Sequence, residues 1–177
     1  MGFVLLLGGA RSGKSRLADR LGREARGSVT FIATATAGDA EMALRIERHR
    51  VGRPDAWSTV EAPLDLQAAI DSAPGTDFVI VDCLTLWVSN LMGAGRGADS
   101  ILALAGDAAR TLAHRRGVVV TNEVGLGIVP ANELARAYRD VLGAVNVAFA
   151  DCAERSLLMV AGRALELKPM DPIIDPT

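Results

Sequence analysis

Residues Gly8-Gly9-Ala10-Arg11-Ser12-Gly13-Lys14-Ser15 constrain the fold more tightly than any other stretch. They match G-x-x-x-x-G-K-[ST], a loop whose glycines let backbone N–H groups turn inward on phosphates. The motif needs a strand before it and a helix after it. Phe3 to Leu7 reads as a short buried strand. Ser15 to Arg26 reads as a helix, with Leu17, Ala18, Leu21 and Ala25 on one face. The positive end of that helix would add to the cradle. Lys14 would neutralise the terminal phosphates, and Ser15 would offer its hydroxyl to Mg²⁺.

The rest of the chain alternates apolar runs with helical patterns. Strands are predicted at Val29 to Ala33, Trp57 to Val60, Phe78 to Asp82, Val118 to Thr121 and Leu157 to Val160. Between them, Asp39 caps a helix from Glu41 to about Arg50, and Asp65 opens one toward Ile70. Leu84 to Met92, Asp99 to Arg115, and a long stretch from an Asn132 cap to about Cys152 also read as helices. Gly93 to Gly97 is a break, and Asn122 to Pro130 is a Gly-rich loop. Such alternation implies βαβ units and a mainly parallel sheet flanked by helices, an α/β fold of the P-loop type in one domain. That domain spans residues 1–168, and Pro169, Pro172 and Pro176 make 169–177 an extended tail. Ligands in such sheets sit beyond the carboxyl ends of the strands. The phosphate loop, Asp82 and the Asn122 loop should therefore share one rim.

Composition narrows the partners. The formal net charge of −2 argues against a nonspecific nucleic-acid coat or an anionic membrane surface. No apolar run reaches the roughly 20 residues needed to span a bilayer, and no basic leader precedes the first strand. A cytoplasmic protein with a small-molecule substrate is expected. Aromatics are only 4% of a chain that is half hydrophobic, so the core should be aliphatic. Cys83 and Cys152 form no C-x-x-C pair and read as small hydrophobes rather than as a disulfide or metal site.

A few side chains could carry chemistry. Asp82 closes an apolar strand, where an acid can hold Mg²⁺ or cap the next helix. His49 lies in Arg45-Ile46-Glu47-Arg48-His49-Arg50-Val51-Gly52-Arg53, one imidazole among four arginines. Such a cluster would attract a polyphosphate and support a charged transition state. Its spacing also allows a core histidine beside Met42 and Ile46, or a solvated charged helix. His114 precedes Gly117 at a helix end and reads as structural. Glu61 follows a short strand and could meet a ribose or a base edge. Asn122-Glu123 follows a buried strand and could reach the substrate or the γ-phosphate.

Together these segments resemble one family, the bifunctional adenosylcobinamide kinase / adenosylcobinamide-phosphate guanylyltransferase of cobalamin assembly. The resemblance rests on GGARSGKSR at 8–16, FIAT at 31–34, EMALRIERHRVGRP at 41–54 with Trp57, TNEVGLGIVP at 121–130 and LARAYRDVLGAVN at 134–146. It implies two reactions. ATP or GTP phosphorylates adenosylcobinamide, and GTP then gives GMP to that phosphate through a GMP-histidine intermediate. His49 is the histidine on the matching segment, so the resemblance gives it the covalent role beside Lys14. A neutral imidazole is a competent nucleophile near neutral pH.

The resemblance also places nucleotide contacts at Gly8 to Ser15, at Ala33, Thr34 and Ala35, at Arg50, Val51, Gly52 and Arg53, and at Glu61 and Asp82. Ser15 and Asp82 would hold Mg²⁺. A homo-oligomer, as a trimer, is implied as well. A kinase without guanylyl transfer and a non-catalytic nucleotide-binding module are the competing readings.

Overall fold

The computed structural model describes residues 2–38 and 40–169, with the side chains of residues 41, 45 and 48 also outside that description. The proposed Asp39 cap and the tail over 170–177 therefore lie outside the described residues.

Strand β1 (Phe3–Gly8) runs into the phosphate loop and then helix α1 (Lys14–Glu24). There follow β2 (Val29–Ala33), α2 (Ala40–Val51), β3 (Ser58–Glu61), α3 (Leu66–Ser72), β4 (Phe78–Asp82) and α4 (Leu84–Gly93). The chain continues through α5 (Ala98–Leu112), β5 (Gly117–Val120), α6 (Glu133–Cys152), β6 (Arg155–Val160) and β7 (Arg163–Leu167). The strands form one sheet of seven in the order β3-β2-β4-β5-β1-β6-β7. All neighbours pair parallel except β6 and β7, which are antiparallel.

Strand alternation explains the layers, because successive side chains point to opposite faces. Leu5, Leu7, Val79, Val81 and Val119 face one side, where they pack with α3 to α6 through Leu66, Trp87, Ile101 and Leu142. Leu6, Phe31, Ile80, Val118 and Val120 face the other, against Ala18 of α1 and Trp57. Both faces are covered, which is why the central strands read as unbroken apolar runs. The few aromatics serve as anchors. Phe3 meets Phe149 edge-on with ring centroids 6.1 Å apart. Buried Trp87 donates its indole N–H to the Leu64 carbonyl at 2.9 Å.

Several expected boundaries hold. Asp65 caps α3 by accepting from the Ala68 N–H at 3.0 Å, and Asn132 caps α6 by accepting from Ala135 N–H at 2.7 Å. Others shift. Helix α1 stops at Glu24 rather than Arg26, since Ala25 is already extended and Gly27 has φ 94°. Helix α5 stops at Leu112 rather than Arg115. The Arg115 guanidinium donates instead to the carbonyls of Ala73 and Pro74, tying the turn to the end of α3. His114 sits in that turn with its backbone N–H on Thr111 O, a structural position. Both cysteines are free and partly buried.

Strand β7 is the element that the sequence reading lacks. It forms a hairpin with β6 through Ala161 and Gly162, whose φ values of 50° and 74° suit a tight two-residue turn. Among the described residues no helix is long and apolar enough to cross a membrane.

Candidate active site

The phosphate loop is held by contacts that dictate its glycines. Gly8 leaves β1 at φ 144°, and a Cβ there would fall 2.3 Å from the Met159 carbonyl oxygen on β6. Gly13 starts α1 at φ 103°, and an added Cβ would lie 3.3 Å from Gly162 Cα. The β6–β7 turn thus presses on the back of the loop, and Gly162 N–H donates to Ser12 O at 2.9 Å. Arg11 between them takes a left-handed φ of 57°. Strain of this kind is found where backbone is fixed for binding. No side chain caps the N-terminus of α1. Its first-turn N–H groups are thus the donors an anion would use.

Lys14 is buried, at 6% exposure. Its Nζ donates to Gly8 O at 2.8 Å and Gly9 O at 2.7 Å, with Ser12 Oγ at 3.4 Å. Burial pulls its pKa below the ordinary lysine value, while Cys83 and Asp82 push it back up. The ammonium is therefore held inside the loop by carbonyl dipoles, at the place where phosphate oxygens would gather around it.

The facing wall comes from α2 and from the ends of β2, β3 and β4. A cleft of about 1070 Å³ runs between this wall and the loop. Ala10, Arg11, Ser12, Gly13, Lys14 and Ser15 line one side of it. Ala33, Ala35, His49, Arg50, Arg53, Glu61 and Asp82 line the other. So most of the residues proposed from sequence meet in one place. Met42 and Ile46 lie on the same face of α2 as His49 and also line the cleft. The His49 side chain is 42% exposed, which excludes the core-histidine alternative. Its Nδ1 lies 3.9 Å from Asp82 Oδ2.

Five proposed contacts fall outside the cleft lining. Thr34 is fully buried, and its Oγ1 donates to Cys83 O at 2.8 Å and accepts from Cys83 N–H at 2.7 Å. It ties the end of β2 to the end of β4 and does not line the cleft. Val51 is 75% exposed, on the outside of α2. Gly52 lines a smaller recess beside the cleft, and its carbonyl accepts from Arg23 Nη2 at 2.8 Å. Gly8 and Gly9 contribute carbonyls to Lys14 rather than cleft wall. Asp82 is not a helix cap, since Cys83 occupies the N-cap of α4 and no side chain caps that end.

Arg53 is placed by stacking, its guanidinium 3.6 Å from the centroid of Phe31. Phe31 in turn stacks on Trp57 at 6.4 Å. Burial lowers the Arg53 pKa, and Asp82, Asp19 and Glu61 counter that fall. Of the polar pair after β5, Asn122 reaches the cleft. Its N–H donates to Thr85 Oγ1 at 2.9 Å, and its carbonyl accepts from Asn146 Nδ2 at 3.0 Å.

Asp19 went unnoticed in the sequence. It lies one helical turn after Ser15 on α1, so both reach the same side. Both line the smaller recess, of about 160 Å³, together with His49, Arg53 and Asp82. The i, i+4 step from the motif serine was the available signal.

Among the described residues no cluster of three or more His, Cys, Asp or Glu side chains could hold a metal on its own. Mg²⁺ does not need one, because it binds one or two protein oxygens and takes phosphates and water for the rest. The Ser15 hydroxyl and the Asp82 carboxylate line both the cleft and the recess, and this oxygen pair fits that requirement.

A phosphate loop after β1, an acid at the end of β4 just across the intervening strand β5, and a cleft at the carboxyl edge define a P-loop nucleotide-binding enzyme. More specifically, the chain belongs to the cobinamide kinase / cobinamide phosphate guanyltransferase family, whose model matches residues 4–167. It is 46% identical over 170 residues to the bifunctional adenosylcobalamin biosynthesis protein CobP of Pseudomonas aeruginosa, covering 93% of this chain and 96% of that protein. It is 40% identical over 184 residues to the bifunctional adenosylcobalamin biosynthesis protein CobU of Salmonella typhimurium, covering 94% of this chain and 99% of that one. Among solved structures, a type III secretion system ATPase of pathogenic bacteria matches with a TM-score of 0.57 at 9% identity, over 93% of this chain and 56% of that one. That last likeness is one of fold alone.

Proposed function

We propose that this cleft carries out two reactions on one corrinoid. In the first, the terminal phosphoryl group of ATP or GTP passes to the hydroxyl of adenosylcobinamide. In the second, GMP from GTP passes by way of His49 to adenosylcobinamide phosphate, giving adenosylcobinamide-GDP. The observation that carries this reading is the meeting of His49 with the Lys14 loop in one cleft.

The loop N–H groups and Lys14 hold the triphosphate and spread its charge. Asp82 faces Nδ1 of His49, so a proton kept on Nδ1 leaves the Nε2 lone pair for the α-phosphorus. The N–P bond forms, the bridging P–O bond breaks, and pyrophosphate leaves with the electron pair. A phosphate oxygen of the acceptor then attacks the same phosphorus, and the imidazole recovers its pair. Arg50 and Arg53 offer positive charge to the phosphates from the α2 side. Mg²⁺, held by Ser15 and Asp82, would neutralise phosphate charge.

We infer a cytoplasmic setting, where nucleoside triphosphates are abundant. A homo-oligomer, as a trimer, also belongs to this reading. The loop after β5 and the start of α6 support it, for they present Leu126, Ile128, Val129 and Leu134 to solvent, Ile128 at 99% exposure. A cluster of exposed aliphatic residues of this kind marks a contact surface.

Pyrophosphate release separates this reading from a kinase alone. With GTP and adenosylcobinamide phosphate supplied together, steady release is expected. Its absence, with phosphorylation of adenosylcobinamide intact, would leave the kinase alone.

A further inference from the structure

The recess between α1 and the C-terminal end of α2 holds a carboxylate that neither reaction above has used. Asp19 lines it with His49, Arg53 and Asp82. The surrounding contacts are cationic and tightly placed. Arg23 crosses from α1 to the Gly52 carbonyl at 2.8 Å, and Arg53 lies on Phe31 at 3.6 Å. Burial opposes the ionisation of Asp19, while the cationic surroundings at Arg23 and Arg53 favour it. A surface acid placed only for helix solubility would meet neither condition.

The chemistry at His49 supplies a reason. While the ring carries the nucleotidyl group and keeps its second proton, it is a cation. Asp82 stands 3.9 Å from Nδ1, but Asp82 also faces the phosphates and Mg²⁺. A second carboxylate, one turn along α1 from Ser15 and lining the recess with the ring, would share the task of offsetting that charge.

We propose that Asp19 is a positioning residue for guanylyl transfer, holding His49 and Arg53 at the recess and offsetting the positive charge the ring gains when its nitrogen bonds to the α-phosphorus. The inference rests on the reading of His49 as the GMP carrier. Asp19 touches no reacting atom and acts through the imidazole. The kinase reaction uses no charged imidazole, so loss of the carboxylate should bear on the two reactions unequally.

The test measures, in full-length protein, the rate of GMP adduct formation from α-labelled GTP and the rate of adenosylcobinamide phosphorylation, and compares their ratio. Asp19→Asn keeps the shape and removes the charge. Its ratio is expected to fall by about tenfold or more, and Asp19→Glu is expected to restore the ratio to within about threefold of wild type. An unchanged ratio in Asp19→Asn, equal losses in both rates, or an Asp19→Glu ratio as low as that of Asp19→Asn overturns the proposal. If the wild type itself forms no adduct, the histidine reading fails and this inference with it. A wild-type adduct with an unaltered ratio in the variant overturns this inference alone.

Discussion

His49 Nδ1 lies 3.9 Å from Asp82 Oδ2, although one residue comes from α2 and the other from the end of β4. The contact brings the proposed nucleophile to the acid that also faces the phosphate loop. At this distance it is an electrostatic contact rather than a hydrogen bond.

Replacing that acid tests the contact. Asp82→Asn is expected to slow GMP adduct formation by about 10–100-fold, the usual cost of removing a group that orients a ligand or metal. Stopped turnover with α-labelled GTP at several Mg²⁺ concentrations measures it. Wild-type rates in the variant would show that His49 needs no partner at Nδ1.

Lys14 is the part that both reactions share. Its ammonium already sits among the loop carbonyls. Lys14→Ala is expected to lower phosphorylation and guanylyl transfer alike by about 10² or more. Near-normal turnover in either assay would refute the cradle for that reaction.

Asp19 links the site to stability. Burial raises its carboxyl pKa, and His49, Arg23 and Arg53 oppose the rise without cancelling it. A carboxyl raised in the folded state favours folding fully below its unfolded value of about 3.9 and loses that contribution as pH climbs through the folded value. Ionised Asp19 therefore weakens the fold at neutral pH. Asp19→Asn is expected to have a higher Tm than wild type at pH 7, with the gap closing toward about pH 4. Calorimetry across that window decides it, and a gap that is absent or reversed at pH 7 would mean that the cations outweigh burial. A residue that costs stability and serves turnover is a common arrangement at active sites.

Much of this was legible in the residues. The β1 motif fixed the local strand–loop–helix, and apolar runs bounded by turn residues located the parallel strands. The caps at Asp65 and Asn132 followed from side-chain oxygens three residues ahead of a free N–H. Strand β7 left little trace in the sequence because it is a short, mostly exposed edge strand with no buried apolar run, marked only by the turn pair Ala161-Gly162. The resemblance implies a nucleotide contact at Thr34 as at Ala33 and Ala35, but successive side chains leave an extended chain on opposite sides. Thr34 therefore turns inward to Cys83, while its neighbours face the cleft. Asp19 carried only a partial signal, the i, i+4 step from Ser15. Its place beside His49 depends on α2 arriving over α1, which no local pattern encodes.

The most direct measurement is the labelling of the chain with α-labelled GTP. The account predicts an acid-labile, alkali-stable GMP adduct on the wild-type protein that disappears in His49→Ala. No adduct on the wild type, or an undiminished adduct in His49→Ala, would contradict it.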